Sequence, residues 1–145
     1  MFDNIAPTYD KLNHILSLNI DKIWRKKAVK RIVKKLKNSE TEKLKNNSQI
    51  FRFSDSQVLD VACGTADSTI ALAKAGIPFV TGVDISEGMI NVGRGKISAL
   101  KINNINLGVE DCENLSFDDN TFDAAFIAFG IRNFEDKKKG LRELK

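Results

Sequence analysis

The stretch VLDVACGTAD, residues 58–67, and the stretch GVDIS, residues 82–86, decide the fold of this chain. The first opens with apolar, mostly β-branched residues, a pattern typical of a strand buried on both faces of a parallel sheet. Gly64 then permits a tight turn, and apolar residues recur at helical spacing from 68 to 75. Together these features predict a strand, a turn and a helix, with a ligand site at the N-terminus of that helix.

The acid of the second stretch, Asp84, closes another apolar run, Phe79–Val83, and should project from the tip of the neighbouring strand. A carboxylate at that position can accept hydrogen bonds from a ribose diol. A pyrophosphate site would need the pattern GxGxxG, whereas this loop has Gly64 alone and carries Asp60 and Asp67. Because the two acids would repel a diphosphate, the loop favours a cationic nucleoside.

An acid-rich loop with a single glycine, followed by an acid after the second strand, resembles class I S-adenosylmethionine-dependent methyltransferases. Their cofactor carries a sulfonium, an ammonium and a ribose but no phosphate. The resemblance implies S-adenosylmethionine as the cofactor, with Asp60 and Gly64 in its loop and Asp84 on its ribose. The alternative is an α/β domain in which Gly64 only turns the chain.

The pattern of the remaining chain predicts an α/β fold with a Rossmann-like parallel sheet. We expect strands near 57–63, 79–83, 105–110 and 122–129, and helices near 67–75, 87–100 and 136–145. These make about four of the seven strands of a class I methyltransferase sheet, so the fourth strand would be an uncovered edge. We therefore expect a piece of a longer protein, able to pair with a second copy as a homodimer.

Residues 1–56 are predicted to precede the cofactor-binding domain, which takes up residues 57–145. The segment Met1–Leu18 is interpreted as a helical flap, Lys22–Lys37 as a basic amphipathic helix with Asp21 as its N-cap, and Asn38–Ser56 as a polar linker. The linker is the segment whose composition most favours disorder.

The predicted basic helix places Ile23, Ala28 or Val29, Ile32 or Val33, and Leu36 on one stripe and fills its other faces with Lys and Arg. Such a helix can lie on an anionic membrane or bind nucleic acid. The ordinary interpretation is a surface helix whose stripe packs on the sheet. Nucleic acid ranks last among these partners, because no aromatic stacking platform accompanies the charge.

Composition limits the class of protein further. A chain of 145 residues with 42% hydrophobic residues can bury one core. No apolar run approaches the roughly 20 residues of a membrane span, so we expect a cytoplasmic protein, at most peripheral at the inner face of the membrane. Cys63 and Cys112 lack metal-like spacing and predict neither a disulfide nor a metal site. Cys63 is expected to be a small buried strand residue.

Three segments resemble one narrower family, the C-methyltransferases of menaquinone and ubiquinone biosynthesis. They are the opening FDNIAPTYDKLNHILSLNIDKIWRK, the two stretches quoted above, and SFDDNTFDAAFIAFGIRNFEDKKKGLREL. The resemblance implies methylation of a polyprenylated quinol, demethylmenaquinol or a benzoquinol precursor of ubiquinone, on a ring carbon. The alternatives are a cofactor-binding module without turnover and a methyltransferase for another small aromatic.

Site residues follow from this resemblance position by position. The cofactor contacts implied, besides Asp60 and Gly64, are Thr65, Asp84, Ile85, Met89, Asp111, Cys112 and Ala128. Ser86 would join Met89 on one face of the adenine, and Asp111 has a physical reason as well, since an acid can accept a hydrogen bond from the adenine amino group. Asp67 is either an ammonium contact or a helix N-cap.

On the quinol side, the resemblance implies that Arg132 and Asn133 hold the quinol oxygens, because a guanidinium favours an ionised phenolate. Tyr9 would contribute from the flap, either by hydrogen-bonding the quinol or by packing, and His14 is expected to have a surface or packing role. The chain departs from the family at Ala66, where a glycine is usual, at Ala128, where a serine is frequent, and at Asp21, where a histidine is expected. A positive φ at position 66 would strain the backbone.

Overall fold

A computed structural model describes residues 20–45 and 52–145 of the chain, residues 41–45 by their backbone alone. The predicted flap, with Tyr9 and His14, therefore lies outside the described residues. One parallel sheet forms the centre of the described part, with strands in the order β3-β2-β1-β4. The strands are β1 Gln57–Val61, β2 Phe79–Asp84, β3 Ile105–Val109 and β4 Ala124–Ile127. The predicted α/β fold is confirmed.

Helices alternate with the first three strands, as the sequence predicts. The helices are α1 Ile20–Lys45, α2 Asp67–Lys74, α3 Glu87–Ala99 and α4 Lys137–Glu143, and short 3-10 turns span Phe53–Asp55 and Gly130–Asn133. From β1 onward, each predicted boundary lies within two residues of the observed one. None of the helices in the described ranges is both long and apolar enough to traverse a bilayer.

Helix α1 is longer than predicted, and the linker prediction is wrong for Asn38–Lys45, which continues this helix. The reason is local, because Glu and Lys dominate this stretch and both favour helix. Ser39 could break the helix, but its hydroxyl donates to the carbonyl oxygen of Lys35 at 3.0 Å, within the helix. Closer to β1, Phe53–Asp55 form a short 3-10 turn.

The buried face of α1 differs from the predicted stripe. Val29 and Leu36 are buried as expected, but Ile23 is 56% exposed, so its assignment to the stripe is wrong. The stripe runs instead through Arg25 and Asp21, which lie four and eight residues before Val29 and so share its face. Asp21 is also not the N-cap, because α1 begins at Ile20 and Asp21 lies buried in the first turn.

Apolar side chains cover the two faces of the sheet unequally. One face packs against α1 and α2 through a core of Val29, Leu36, Val58, Leu72, Ile77, Val80 and Phe126. Helix α3 adds a cluster formed by Ala66, Ile90 and Leu107. The other face presents Leu59, Val61 and Val83 to the chain that follows β3 and β4. Strand β4 forms an edge among the described strands; pairing of two copies there stays a prediction.

The strand order fixes where a ligand can bind. The chain proceeds outward from β1 to β2 and β3, and then returns to place β4 on the opposite side of β1. Because all strands are parallel, their carboxyl ends meet at one edge of the sheet. The order reverses between β1 and β4, and in open α/β sheets the crevice at such a reversal is the usual ligand site.

Candidate functional site

A cavity of about 340 Å³ opens at the carboxyl ends of the strands, where the strand order reverses. Most of the predicted site residues line it: Gly64, Thr65, Asp84, Ile85, Met89, Asp111, Cys112, Ala128, Arg132 and Asn133. Tyr9 lies outside the described residues, and Asp60 does not line the cavity. The carboxyl ends of the four strands and the segments that follow them thus bring together residues that are far apart in the sequence.

The loop after β1 has an unusual backbone. Ala62, Gly64 and Ala66 all have positive φ angles, of 52°, 57° and 66°. The strain considered for position 66 is therefore present, and a left-handed alanine costs about 1–2 kcal/mol. A backbone hydrogen bond of 2.9 Å from Cys63 N to Val83 O ties the start of this loop to β2.

Asp84 holds the same loop from the tip of β2. Its Oδ2 accepts a 2.8 Å hydrogen bond from the N–H of Gly64, and its Oδ1 accepts a 3.0 Å bond from the N–H of Ser86. A carboxylate has about four acceptor positions, so this half-buried side chain retains capacity for further donors from the cavity. Because the Gly64 N–H already has a partner, the loop offers no free glycine amide there to a phosphate.

Asp60 lies beneath the loop and does not line the cavity, so its predicted direct contact with the cofactor is wrong. It is 1% exposed, and the hydroxyl of Thr69 donates to its Oδ2 at 2.6 Å. Burial raises the pKa of Asp60 to about 7, and the Thr69 hydrogen bond and the charge of Arg25 offset only part of that rise. The residue joins β1 to α2 and so supports the loop from below.

Asp67 is not the N-cap of α2, because Ala66 occupies that position and Asp67 is the first helical residue. Cations from two other helices contact its carboxylate. Arg25 of α1 places Nη1 3.4 Å from Oδ2, and Lys96 of α3 places Nζ 2.5 Å from Oδ1. Both oxygens of Asp67 are thus engaged by side chains of the protein.

Cys63 and Ser86 depart from their predicted settings, whereas Cys112 lines the cavity. Cys63 lies beyond the end of β1 and lines the cavity half-buried, so its assignment to the strand interior is wrong. Burial raises the pKa of the Cys63 thiol, and it raises that of Cys112 to about 11, so both line the cavity as neutral groups. Ser86 does not line the cavity; it caps α3 by accepting from Met89 N at 3.3 Å.

The carboxylate of Glu113, which the sequence did not suggest as a site residue, joins two segments that line the cavity. Glu113, two residues after Asp111, accepts hydrogen bonds from the N–H groups of Glu135 at 2.7 Å and of Asp136 at 3.1 Å. Asp111 in turn accepts from the N–H of Glu113 at 2.9 Å. The loop after β3 is therefore tied to the chain just beyond the turn that carries Arg132.

Several lining residues were not predicted from the sequence: Arg25, Ala62, Ser68, Glu113, Phe134 and Glu135. For Arg25 a signal existed, since it precedes Val29 by four residues and Leu36 by eleven, and so falls on the apolar stripe of α1. A charged residue on a buried stripe indicates a specific partner. Glu113 gives no comparable signal, because its partners are backbone groups more than twenty residues away.

Gly130 should tolerate no side chain. A Cβ added there would lie 2.2 Å from the Cβ of Ala62, so Gly130→Ala forces the turn after β4 away from the loop after β1. We expect a loss of about 1–3 kcal/mol in the free energy of unfolding, measured by urea denaturation. Ala62→Gly in the same protein removes the clash and should restore most of the loss. Gly108→Ala, whose Cβ would meet only Val83 at 3.9 Å, is the control; equal losses from both single variants would contradict the prediction.

The comparisons with known proteins agree with this geometry. The family model described as the ubiE/COQ5 methyltransferase family matches residues 1–145. "Demethylmenaquinone methyltransferase" of Bacteroides fragilis is 47% identical over 99% of this chain and 52% of its own length. "Ubiquinone/menaquinone biosynthesis C-methyltransferase UbiE" of Geobacter sulfurreducens is 40% identical over 99% of this chain and 50% of its own length.

A solved structure extends the agreement to the fold. The crystal structure of a SAM-dependent methyltransferase from Aquifex aeolicus superposes with a TM-score of 0.59 at 26% identity, over 78% of this chain and 65% of that one. The chain spans about half the length of the curated relatives it matches. The predicted Rossmann-like fold and the predicted family are both confirmed. With its whole described cavity built from the segments that the family model covers, this chain belongs to the ubiE/COQ5 methyltransferase family.

Proposed function

We propose that the protein is an S-adenosylmethionine-dependent C-methyltransferase of quinone biosynthesis. Its substrate is demethylmenaquinol, which it converts to menaquinol, or the polyprenyl benzoquinol precursor of ubiquinone. The observation that carries the proposal is Asp84, held by Gly64 N–H at the carboxyl edge of the sheet, in a chain of this family. The names of the relatives support the choice of substrate.

The lining of the cavity fits the proposed cofactor. Asp84 would hold the ribose, and Asp111, two residues after the end of β3, would accept a hydrogen bond from the adenine amino group. Apolar surface between these two carboxylates comes from Ile85, which is 68% exposed, and from Met89. Near the β4 tip, Ala128 leaves room for the methionine part. When bound, S-adenosylmethionine supplies an electrophilic methyl group.

The quinol side of the cavity is built by the 3-10 turn Gly130–Asn133, which follows β4. Arg132 and Asn133 are exposed and line the cavity from this turn. The guanidinium of Arg132 would stabilise a phenolate oxygen of the quinol, which makes the adjacent ring carbon more nucleophilic. Asn133 would donate to the same ring or its second oxygen. The part of Tyr9 stays a prediction from the family resemblance.

A polyprenylated substrate favours contact with a membrane, and α1 offers a surface for it. Ile23 and Trp24 are 56% and 59% exposed near the start of this helix. Lys27, Arg31 and Lys34 are exposed along the same outward face. Apolar and aromatic residues beside lysines are typical of helices that lie at an anionic lipid surface. We infer a cytoplasmic enzyme that binds the inner face of the membrane peripherally.

The test uses the full-length gene product, methyl-labelled S-adenosylmethionine and demethylated quinols carried in lipid vesicles. We expect label on the quinol ring, with faster transfer on vesicles that contain anionic phosphatidylglycerol than on phosphatidylcholine at low salt. Absence of transfer to both naphthoquinol and benzoquinol substrates would overturn the proposed function. Cofactor binding without transfer, seen by calorimetry, would favour a cofactor-binding module. Equal rates on the two kinds of vesicle would contradict only the membrane contact.

A further inference from the structure

Helix α3 packs closely against Thr65 and Ala66 in the loop that follows β1. A Cβ added to Gly93 of α3 would lie 3.0 Å from the Cβ of Ala66 and 3.3 Å from the carbonyl carbon of Thr65. Lys96 is three residues further along α3 and therefore on the same face. The helix thus directs the Lys96 side chain towards this loop, from the side opposite to the cavity.

The ammonium of Lys96 contacts both residues that flank Ala66. Its Nζ donates to Thr65 Oγ1 at 3.1 Å and to Asp67 Oδ1 at 2.5 Å. Between these two anchors, Ala66 is fully buried and has a φ angle of 66°, a conformation that an alanine does not prefer. The contacts of Lys96 therefore span the strained residue and oppose its relaxation to another conformation.

Burial makes this ion pair stronger than an ordinary surface pair. The side chains of Lys96 and Asp67 are 27% and 25% exposed, which limits screening by solvent. Arg25 reaches the other oxygen of Asp67 and is 12% exposed. Because Arg25 remains when Lys96 is replaced, the N-terminus of α2 keeps one cationic partner, and the fold should survive the substitution.

We propose that Lys96 is a positioning residue for cofactor binding. It does not line the cavity, and it acts through Thr65 and Asp67, whose placement sets the shape of the loop. This inference rests on the proposed function, in which the loop after β1 binds S-adenosylmethionine. It also gives Asp67 a role other than contact with the cofactor ammonium, as the carboxylate through which α1 and α3 hold the loop.

The test compares Lys96→Met and Lys96→Arg with the unmodified full-length protein, by calorimetry with S-adenosylmethionine and with S-adenosylhomocysteine. We expect Lys96→Met to bind both ligands about 10-fold more weakly, as the loss of a charge-assisted hydrogen bond implies. Lys96→Arg retains the charge and should stay within about 3-fold. In turnover assays, the KM for the cofactor should rise while the KM for the quinol and kcat stay unchanged, a separation that a general loss of folding would not produce.

Lys74→Met, which removes an exposed lysine from the last turn of α2, is the matched control and should bind as the unmodified protein does. In protein that already carries Asp67→Asn, adding Lys96→Met should weaken binding by less than it does alone. If Lys96→Met binds as tightly as the control, the inference is overturned and the proposed function stands; if the unmodified protein binds no cofactor, the proposed function itself fails. Should Lys96→Met not fold, equal affinities of Lys96→Gln and Lys96→Arg would overturn the inference instead.

Discussion

Protein with Asp84→Asn should bind S-adenosylmethionine about 100-fold more weakly than the unmodified protein, or worse, when affinity is measured by calorimetry. Both oxygens of Asp84 accept from backbone N–H groups, those of Gly64 and Ser86. An asparagine has one acceptor oxygen, so its amide NH2 must face one of these two donors. The variant therefore loses the charge that would bind the ribose diol and also one of the two bonds that hold the loop.

The chain offers a control with the same chemistry at the opposite end of the sheet. Asp123 accepts a single backbone hydrogen bond, from Gln57 N at 2.9 Å, before the start of β4. Asp123→Asn can keep that bond through its remaining oxygen, so cofactor affinity should change by less than about 3-fold. If Asp84→Asn bound as tightly as Asp123→Asn, the ribose would not lie at the tip of β2.

The strands and the cofactor loop could be predicted because their signals are local. Val58, Leu59 and Val61 are buried by two layers and so had to be apolar without alternation. A single glycine and an acid at the next strand tip, Gly64 and Asp84, lie where parallel strands bring their carboxyl ends together. Spacing along the chain therefore implied proximity in space, and the cavity forms where it was expected.

The partners of the side chains that hold the loop could not be predicted, even for Arg25 on its apolar stripe, because those partners are distant in sequence. Arg25 reaches Ser68, and Lys96 reaches Thr65. Arg25 stands in a helix with many other cations and Lys96 in one that also carries Arg94, and nothing in the pattern marks Lys96 as the residue paired with a carboxylate. Asp67 was accordingly interpreted as a ligand contact or a cap, since an acid at the start of a helix has local reasons to be there.

The same difficulty applies to Asp60, because an acid in a strand of this kind can be either a ligand contact or a buried support. Side chains alternate along a strand, so Asp60 lies on the same face of β1 as Val58. That face packs against α1 and α2. Only the packing of Thr69 over it shows that this face is closed. A carboxylate this deeply buried is costly to ionise, and that cost is measurable.

The free energy of unfolding should fall as pH rises from about 5 to about 8, relative to an Asp60→Asn variant, by roughly 3 kcal/mol. Burial raises the pKa of Asp60 in the folded protein from 3.8 to about 7, against the hydrogen bond from Thr69. A raised pKa means that the folded state binds the proton more tightly than the unfolded state does. The stability that protonated Asp60 contributes is fully present below its pKa in the unfolded chain. That stability is lost as the pH rises through its pKa in the folded protein.

The Asp60→Asn variant has no titratable group at this position. The difference in the free energy of unfolding between the two proteins therefore reports on this one carboxyl group and not on the other groups that titrate over the same pH range. Urea denaturation of both proteins at several pH values measures that difference. Above about pH 8 the curve for the difference should flatten, because Asp60 is ionised in both states. A difference that stays constant from pH 5 to 8 would mean that Asp60 is ionised in the fold throughout, held by Arg25 more strongly than its burial allows.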